Sequence, residues 1–383
     1  MKIGINALPL SRVRAGVARV VWSVLEELRE IDTENCYYLY SDRDFELPWE
    51  GDRWRKRIYS PLPLLPGTLW LQTVGRRMII GDRLDAFWAT NNLLPLGLPP
   101  EVAKIVSIHD LIMPLYSKEA DLLNRCIYWL FGRRSAQQAN RIIANSQSTA
   151  RDLQRIYGIH ESKIEVIYLG VGPAFKPQDP RAAAEFVSKK YGASKDYILA
   201  VSTIGPHKNL TTLVEAMKVL RERGEITMQL LTVGAQRQRN PQALELLRSL
   251  NLTAEDIRFL GYVPDEDLPI LYSGSSLFVF PSLYEGFGLP LVEAMACSAP
   301  VIASNTSSIP EVVGDAGLLV PPTRPEAFAE AILRVRSDAN LRKNMIDKGL
   351  RQAAGFRWDK TARRVLECIQ NVVAGEKRRA QYD

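Results

Sequence analysis

Short β-branched runs alternate with helix-length amphipathic segments along the whole chain, and this rhythm confines it to a parallel α/β architecture. Lys2 to Asn6, Tyr37 to Tyr40, Asp85 to Ala89, Ala103 to His109 and Arg141 to Ala144 read as one series of strands. A second series runs through Tyr197 to Ser202, Thr227 to Val233, Ile257 to Leu260, Leu277 to Pro281, Val301 to Ala303 and Gly317 to Val320. Two doubly wound sheets are expected. Gly and Pro concentrate between them, in Gly170-Val171-Gly172-Pro173 and Lys176-Pro177-Gln178-Asp179-Pro180, where a hinge belongs. The charged tail Glu376 to Asp383 is expected to fray.

With 383 residues, 46% apolar and 24% charged, the chain can build two cores and has no bias toward disorder. Its apolar runs are strand-length, far short of the ~20 residues of a spanning helix, and no secretory leader is visible after Met1-Lys2. The four cysteines, Cys36, Cys126, Cys297 and Cys368, fit no zinc spacing and read as reduced thiols of a cytoplasmic protein. A net charge of +6 favours anionic partners: nucleotide phosphates, an acidic membrane surface or nucleic acid. No nucleic-acid recognition motif accompanies it. A Walker loop and a G-x-G-x-x-G after the first strand are both missing, which removes the main supports of ATPase and dehydrogenase readings.

The strand Leu277 to Pro281 runs into a loop holding Glu285, Gly286, Phe287 and Gly288. Leu289 opens the next helix, and Glu293 follows on it, so that two glutamates bracket seven residues. Glycines there let a ligand approach the backbone, at the carboxyl end of a strand where open α/β sheets bind ligands. From spacing alone, a surface turn with a solvated glutamate is as good a reading. The stretch Glu285-Gly-Phe-Gly-Leu-Pro-Leu-Val-Glu-Ala-Met-Ala-Cys-Ser-Ala-Pro-Val-Ile-Ala-Ser, followed by Ser308-Ile-Pro-Glu-Val-Val-Gly-Asp-Ala-Gly, closely resembles the donor-binding core of family 4 retaining glycosyltransferases of the GT-B fold.

That resemblance extends over nearly the whole chain. It implies two Rossmann-like domains facing a central cleft: an acceptor-side domain over 1–172, a nucleotide-sugar-binding domain over 173–355, and a helix over 356–383 crossing back to the first. It also implies roles for individual residues. Glu285 accepts from donor-sugar hydroxyls and Glu293 from the ribose, while Gly286, Phe287, Gly288 and Leu289 line the donor. The family's Arg-Lys pair on the diphosphate falls on His207-Lys208, a departure in which neutral His207 supplies only a hydrogen bond. Gly16, before the helix that starts near Val17 and in a loop with Arg12 and Arg14, matches the loop whose backbone faces the donor phosphates. His109 matches the histidine beside the transferred sugar, and Gly261-Tyr262-Val263 the base pocket, with Val263 as its donor-binding member. Asn145-Ser146 reads equally as another landmark or as a plain N-cap.

The implied chemistry is metal-independent transfer of a hexose from a nucleotide sugar, a substrate rather than a cofactor, to a saccharide or lipid-linked acceptor in polysaccharide or glycolipid synthesis. Its front-face mechanism makes positioning and charge stabilisation the protein's task. GDP-mannose and UDP-glucose types of donor stay open. Asp265-Glu266-Asp267 opens a helix and reads as capping, not as a metal motif. Two basic, aromatic stretches, Arg53-Trp-Arg-Lys-Arg with Leu62 to Leu71 and Arg125 to Arg134 with Tyr128, Trp129 and Phe131, suit an anionic membrane and a lipid-linked acceptor; equally, Tyr128, Trp129 and Leu130 suit the core of an amphipathic helix with the arginines as its solvated face. Peripheral attachment to the inner membrane face therefore stays open. A nucleotide-sugar epimerase and a silent binding protein of the same fold are the rival readings.

Overall fold

The computed structural model describes residues 1–12, 16–60, 66–112, 131–201, 205–225, 228–234, 249–250 and 252–382. The chain forms two compact units, Met1–Gly170 with Trp358–Asp383, and Val171–Arg357.

In the first unit, β1 (Lys2–Asn6), β2 (Cys36–Ser41), β3 (Trp54–Ile58), β4 (Ala86–Ala89), β5 (Ala103–Ile108), β6 (Arg141–Ala144) and β7 (Ile164–Val166) form one sheet in the order β3-β2-β1-β4-β5-β6-β7. Every pairing is parallel. β4 and β5 are buried along their whole length, as strands covered on both faces must be. Helix α1 (Val17–Ile31) buries Val21, Val24, Leu25 and Leu28, one stripe at helical spacing, and packs against the last helix, Trp358–Tyr382. That helix is tied to its own unit by Thr361 Oγ1 donating to the Tyr168 carbonyl at 2.8 Å and by Arg364 with Glu165 at 2.9 Å. It continues to Tyr382, and Glu376 accepts from Asn140 Nδ2 at 3.2 Å.

Two strands were not foreseen. β7 spans three residues, too few to show a period. β3 coincides with the basic stretch Arg53 to Arg57, and its charges are used internally. Arg57 pairs with Asp82, Lys56 lies 2.9 Å from Asp44 and 3.1 Å from Glu50, and Arg53 donates to the Asp32 carbonyl at 2.8 Å. Trp54 is buried and stacked on Tyr37 at 4.2 Å. The stretch is a charged edge strand, a device that discourages pairing with other chains. Trp70 and Leu71 are core residues, whereas Leu62 to Leu65, and Arg125, Tyr128 and Trp129, lie outside the described residues.

In the second unit, β8 (Tyr197–Val201), β9 (Gln229–Val233), β10 (Ile257–Gly261), β11 (Leu277–Phe280), β12 (Val301–Ser304) and β13 (Gly317–Val320) pair in the order β10-β9-β8-β11-β12-β13, again parallel. The order reverses at β8: β9 and β10 lie on one side, and β11 to β13 on the other. Helices α3 (Pro180–Tyr191), α4 (Leu210–Glu222), α5 (Leu268–Gly274), α6 (Leu289–Ala296), α7 (Pro325–Ser337) and α8 (Ala339–Ala353) cover the sheet, with α4 on α7 and α3 on α5. Asp267 takes the N-cap position of α5, as expected, but not through a side-chain cap. Instead its carboxylate accepts from Lys190 Nζ at 2.6 Å and from the Tyr191 hydroxyl. Burial pushes that carboxyl up, yet the two donors from α3 outweigh it and hold it below the usual carboxylate range.

Among the described residues no helix is long and apolar enough to cross a membrane, and Cys36, Cys297 and Cys368 are free thiols. The close approach of α3 and α5 rests on Gly274, where an added Cβ would lie 2.7 Å from the Ala184 nitrogen and 2.8 Å from the Tyr197 hydroxyl. Gly274→Ala is therefore expected to cost about 2 kcal/mol of stability, because backbone has to move to relieve the overlap. Urea unfolding of the two proteins side by side checks this; equal midpoints would show that α3 and α5 have room to part.

Candidate functional site

The reversal at β8 puts the carboxyl ends of β8 and β11 side by side, the place where doubly wound sheets open a crevice for ligands. The connection after β8 ends in the short helical turn Pro206–Lys208, and the connection after β11 carries Ser282 to Gly288. The two segments are joined directly: Leu283 N–H donates to the His207 carbonyl at 2.7 Å. Lys208 Nζ donates to Glu285 Oε1 at 2.7 Å and Oε2 at 2.9 Å, so one ammonium satisfies both carboxylate oxygens. Both side chains are largely withdrawn from water, at 16% and 9% exposure, which strengthens their attraction and makes removal of either partner costly. Lys208 Nζ also lies 5.8 Å from the centre of the Phe280 ring.

Neighbouring residues fix these two segments. Asn209 donates from Nδ2 to the carbonyls of Pro281 and Pro322, at 3.0 and 2.7 Å, clamping the end of the Lys208 turn to β11. After β12, Thr306 Oγ1 reaches the Leu283 carbonyl at 3.1 Å, Ser307 Oγ accepts the Glu285 N–H at 2.9 Å, and Ser308 Oγ lies 3.0 and 2.9 Å from the carbonyls of Glu285 and Phe287. Gly288 takes φ 101°, a conformation open to glycine, as the chain turns into α6. Phe287 is buried edge-on against Phe356, and Leu289 is half-buried. Glu293, on α6, is 4% exposed and accepts from the Tyr272 hydroxyl at 3.0 Å, so its carboxylate already serves a buried hydrogen bond. Val263 follows β10 with a closed side chain, whereas Tyr262 beside it is 70% exposed.

In the first unit, His109 closes β5 and is 9% exposed. Its Nε2 lies 2.8 Å from the Thr90 carbonyl, an obligate acceptor, so Nε2 carries the proton and Nδ1 the lone pair. Asn92 Oδ1 accepts the His109 N–H at 2.9 Å. Gly16 caps α1 with φ 53° and ψ −119°, and a Cβ there would meet nothing within 4 Å; Arg14 lies outside the described residues. Ser146 settles into the N-cap of helix α2 (Gln147–Tyr157), accepting the Thr149 N–H at 3.0 Å.

Thus Lys208, His207, Glu285, Gly286, Phe287 and Gly288 share one corner of the second sheet, and Glu293 is turned toward α5. Asn92, Asn209, Thr306 and Ser307 were not singled out in the sequence, and Ser308 entered only as the start of the second matching stretch. Polar clusters directly after strands, Thr90-Asn91-Asn92 and Asn305-Thr306-Ser307-Ser308, are the signal that marks most of them.

Two family models match in tandem, one described as Glycosyltransferase Family 4 over residues 14–175 and one as Glycosyl transferases group 1 over residues 183–352. The chain is 35% identical over 226 residues to the O-antigen chain mannosyltransferase B of Escherichia coli, covering 59% of each protein. It is 32% identical over 279 residues to the serotype-specific mannosyltransferase WbdA of Escherichia coli, covering 70% of this chain and 34% of that one. The chain thus matches between about a third and three fifths of the length of these relatives. Among solved structures, sucrose-phosphate synthase from Thermosynechococcus elongatus superposes with a TM-score of 0.81 at 21% identity, over 98% of this chain and 100% of that one, a likeness of fold.

Burial, outweighing the hydrogen bond to Thr90 and the charge of Asp110, holds His109 below its ordinary pKa. As pH falls below about 6.5 the unfolded chain takes up a proton that the folded chain refuses, so stability present above that pH is lost beneath it. For this one proton the loss is at most about 1.4 kcal/mol per pH unit. His109→Gln should remove this component in urea titrations between neutral and mildly acidic pH; identical slopes in both proteins would contradict a buried neutral imidazole.

Proposed function

The chain belongs to the glycosyltransferases that those two models describe, and from that membership we propose that it moves a hexose from a nucleoside-diphosphate sugar to a saccharide or lipid-linked saccharide acceptor. The observation that carries this reading is the Lys208–Glu285 pair at the switch point of the second sheet. A diphosphate needs a cation where its leaving-group charge grows, and a hexose needs an acceptor for its hydroxyl protons; the pair supplies one of each, already oriented.

Lys208, with His207, is assigned to the diphosphate, and Glu285 to the sugar hydroxyls. A carboxylate bound at both oxygens by one ammonium is a poor covalent nucleophile, which favours the front-face retaining course, with the leaving phosphate helping to deprotonate the acceptor. Glu293 takes the ribose on exchanging its bond from Tyr272. The main chain around Val263 serves the base, and Gly286, Phe287, Gly288 and Leu289 line the donor. For the first unit, the backbone at Gly16 is assigned to phosphate oxygens and His109, a neutral acceptor through Nδ1, to a sugar hydroxyl.

Mannose is the first choice of hexose, since both relatives above are named mannosyltransferases; a UDP-glucose type of donor is the alternative. A lipid-linked acceptor accords with the O-antigen in one relative's name. The reading requires no metal, because Lys208 provides the positive charge at the diphosphate and His207 a hydrogen bond.

Glu285→Gln and Lys208→Met are each expected to lower kcat for hexose transfer by about 10²–10³, with circular dichroism unchanged. Assays with GDP-mannose and UDP-glucose, with and without chelator, check this. Full turnover by either variant would remove the pair from the reaction, and dependence on added divalent metal would contradict the cation assignment.

A further inference from the structure

Among the described residues, five other than glycine have a left-handed backbone: Arg83, Asn92, Asn209, Ser298 and Ser307. Three of these sit on the site residues. Asn92, at φ 50°, accepts the N–H of His109; Asn209, at φ 54°, follows Lys208 and clamps its turn; Ser307, at φ 52°, accepts the N–H of Glu285. Asparagine tolerates this conformation through its short polar side chain, whereas serine gains little there and glycine fits without penalty. Ser307 therefore holds a disfavoured backbone where glycine would fit better, and what glycine lacks is the Oγ that receives the Glu285 N–H.

We propose that Ser307 is a positioning residue for hexose transfer, holding Glu285 by its main chain so that the carboxylate stays on Lys208. This rests on the function proposed above. The grip acts at both ends of residue 285: Ser307 Oγ takes its N–H at 2.9 Å, and Ser308 Oγ lies 3.0 Å from its carbonyl. Both serines belong to the connection between β12 and β13, so β12 sets the height at which the Glu285 loop leaves β11. Backbone strain kept at a binding loop for the sake of a specific contact is a recognised way to preorganise a site.

Ser307→Gly separates the contact from the fold, because it relieves the left-handed strain while deleting the acceptor. In this variant kcat for hexose transfer is expected to fall about 10- to 100-fold, as for a sub-ångström to ångström misplacement of a reacting group. The melting temperature should hold or rise, and the Glu285 amide should lose protection from hydrogen exchange. Ser307→Asn, which tolerates the same backbone and carries an acceptor oxygen, should recover much of both. Wild-type kcat in Ser307→Gly, or a fall in kcat that only follows a fall in melting temperature, overturns the proposal. Undiminished protection of the Glu285 amide overturns it on its own, whatever the activity. A wild-type chain that transfers from neither donor class defeats the proposed function instead, and the exchange result still decides whether Ser307 grips Glu285.

Discussion

Lys208 Nζ stands 2.7 Å from a Glu285 oxygen because two strands distant in sequence, β8 and β11, are neighbours at the point where the sheet reverses direction. Without that reversal, the connections after them would leave the sheet far apart, and a lysine and a glutamate separated by 77 residues would have no reason to meet. The reversal follows from hydrophobic patterning: strands buried on both faces need helices on both sides, and winding away from β8 in two directions supplies them. The hydrogen bonds of Asn209, Thr306, Ser307 and Ser308 then convert proximity into a fixed geometry.

The two units handle polarity at their strand ends differently. In the second unit two charges are withdrawn from water and satisfied by each other, with the surrounding hydroxyls spent on main-chain groups. In the first unit the polar group at the end of β5 is kept uncharged, because burial disfavours the imidazolium and the Thr90 carbonyl fixes the tautomer. A charged pair suits the binding of an anionic diphosphate, and a neutral imidazole with its lone pair on Nδ1 suits hydrogen bonding to a hydroxyl. The division is chemical, and it arises from local burial in each unit.

Much of this was legible in the sequence, because hydrophobic rhythm is a long-range signal repeated in every strand. The parallel sheets, and the glycine-rich turn after β11, follow from Leu277 to Leu289 and its counterparts. What escaped was short or depended on partners. Ile164 to Val166 is too brief to show a period, and Trp54 to Ile58 hides a strand under the arginines and lysine of a sheet edge. Asp267 looked like a side-chain cap because its carboxylate's partners, Lys190 and Tyr191, lie 77 and 76 residues away. Ser307 and Asn92 are unremarkable as letters; their left-handed backbones, and the amides they receive, exist only once the strands are paired.

On the function proposed here, a nucleoside-diphosphate sugar is held at the carboxyl ends of β8 and β11. Hydrogen exchange of the full chain, with and without saturating GDP-mannose or UDP-glucose, tests it most directly. Protection is expected to gather in Gly205 to Asn209 and in Ser282 to Leu289. Binding of either nucleotide sugar that leaves both segments exchanging as before, with protection elsewhere, would contradict it.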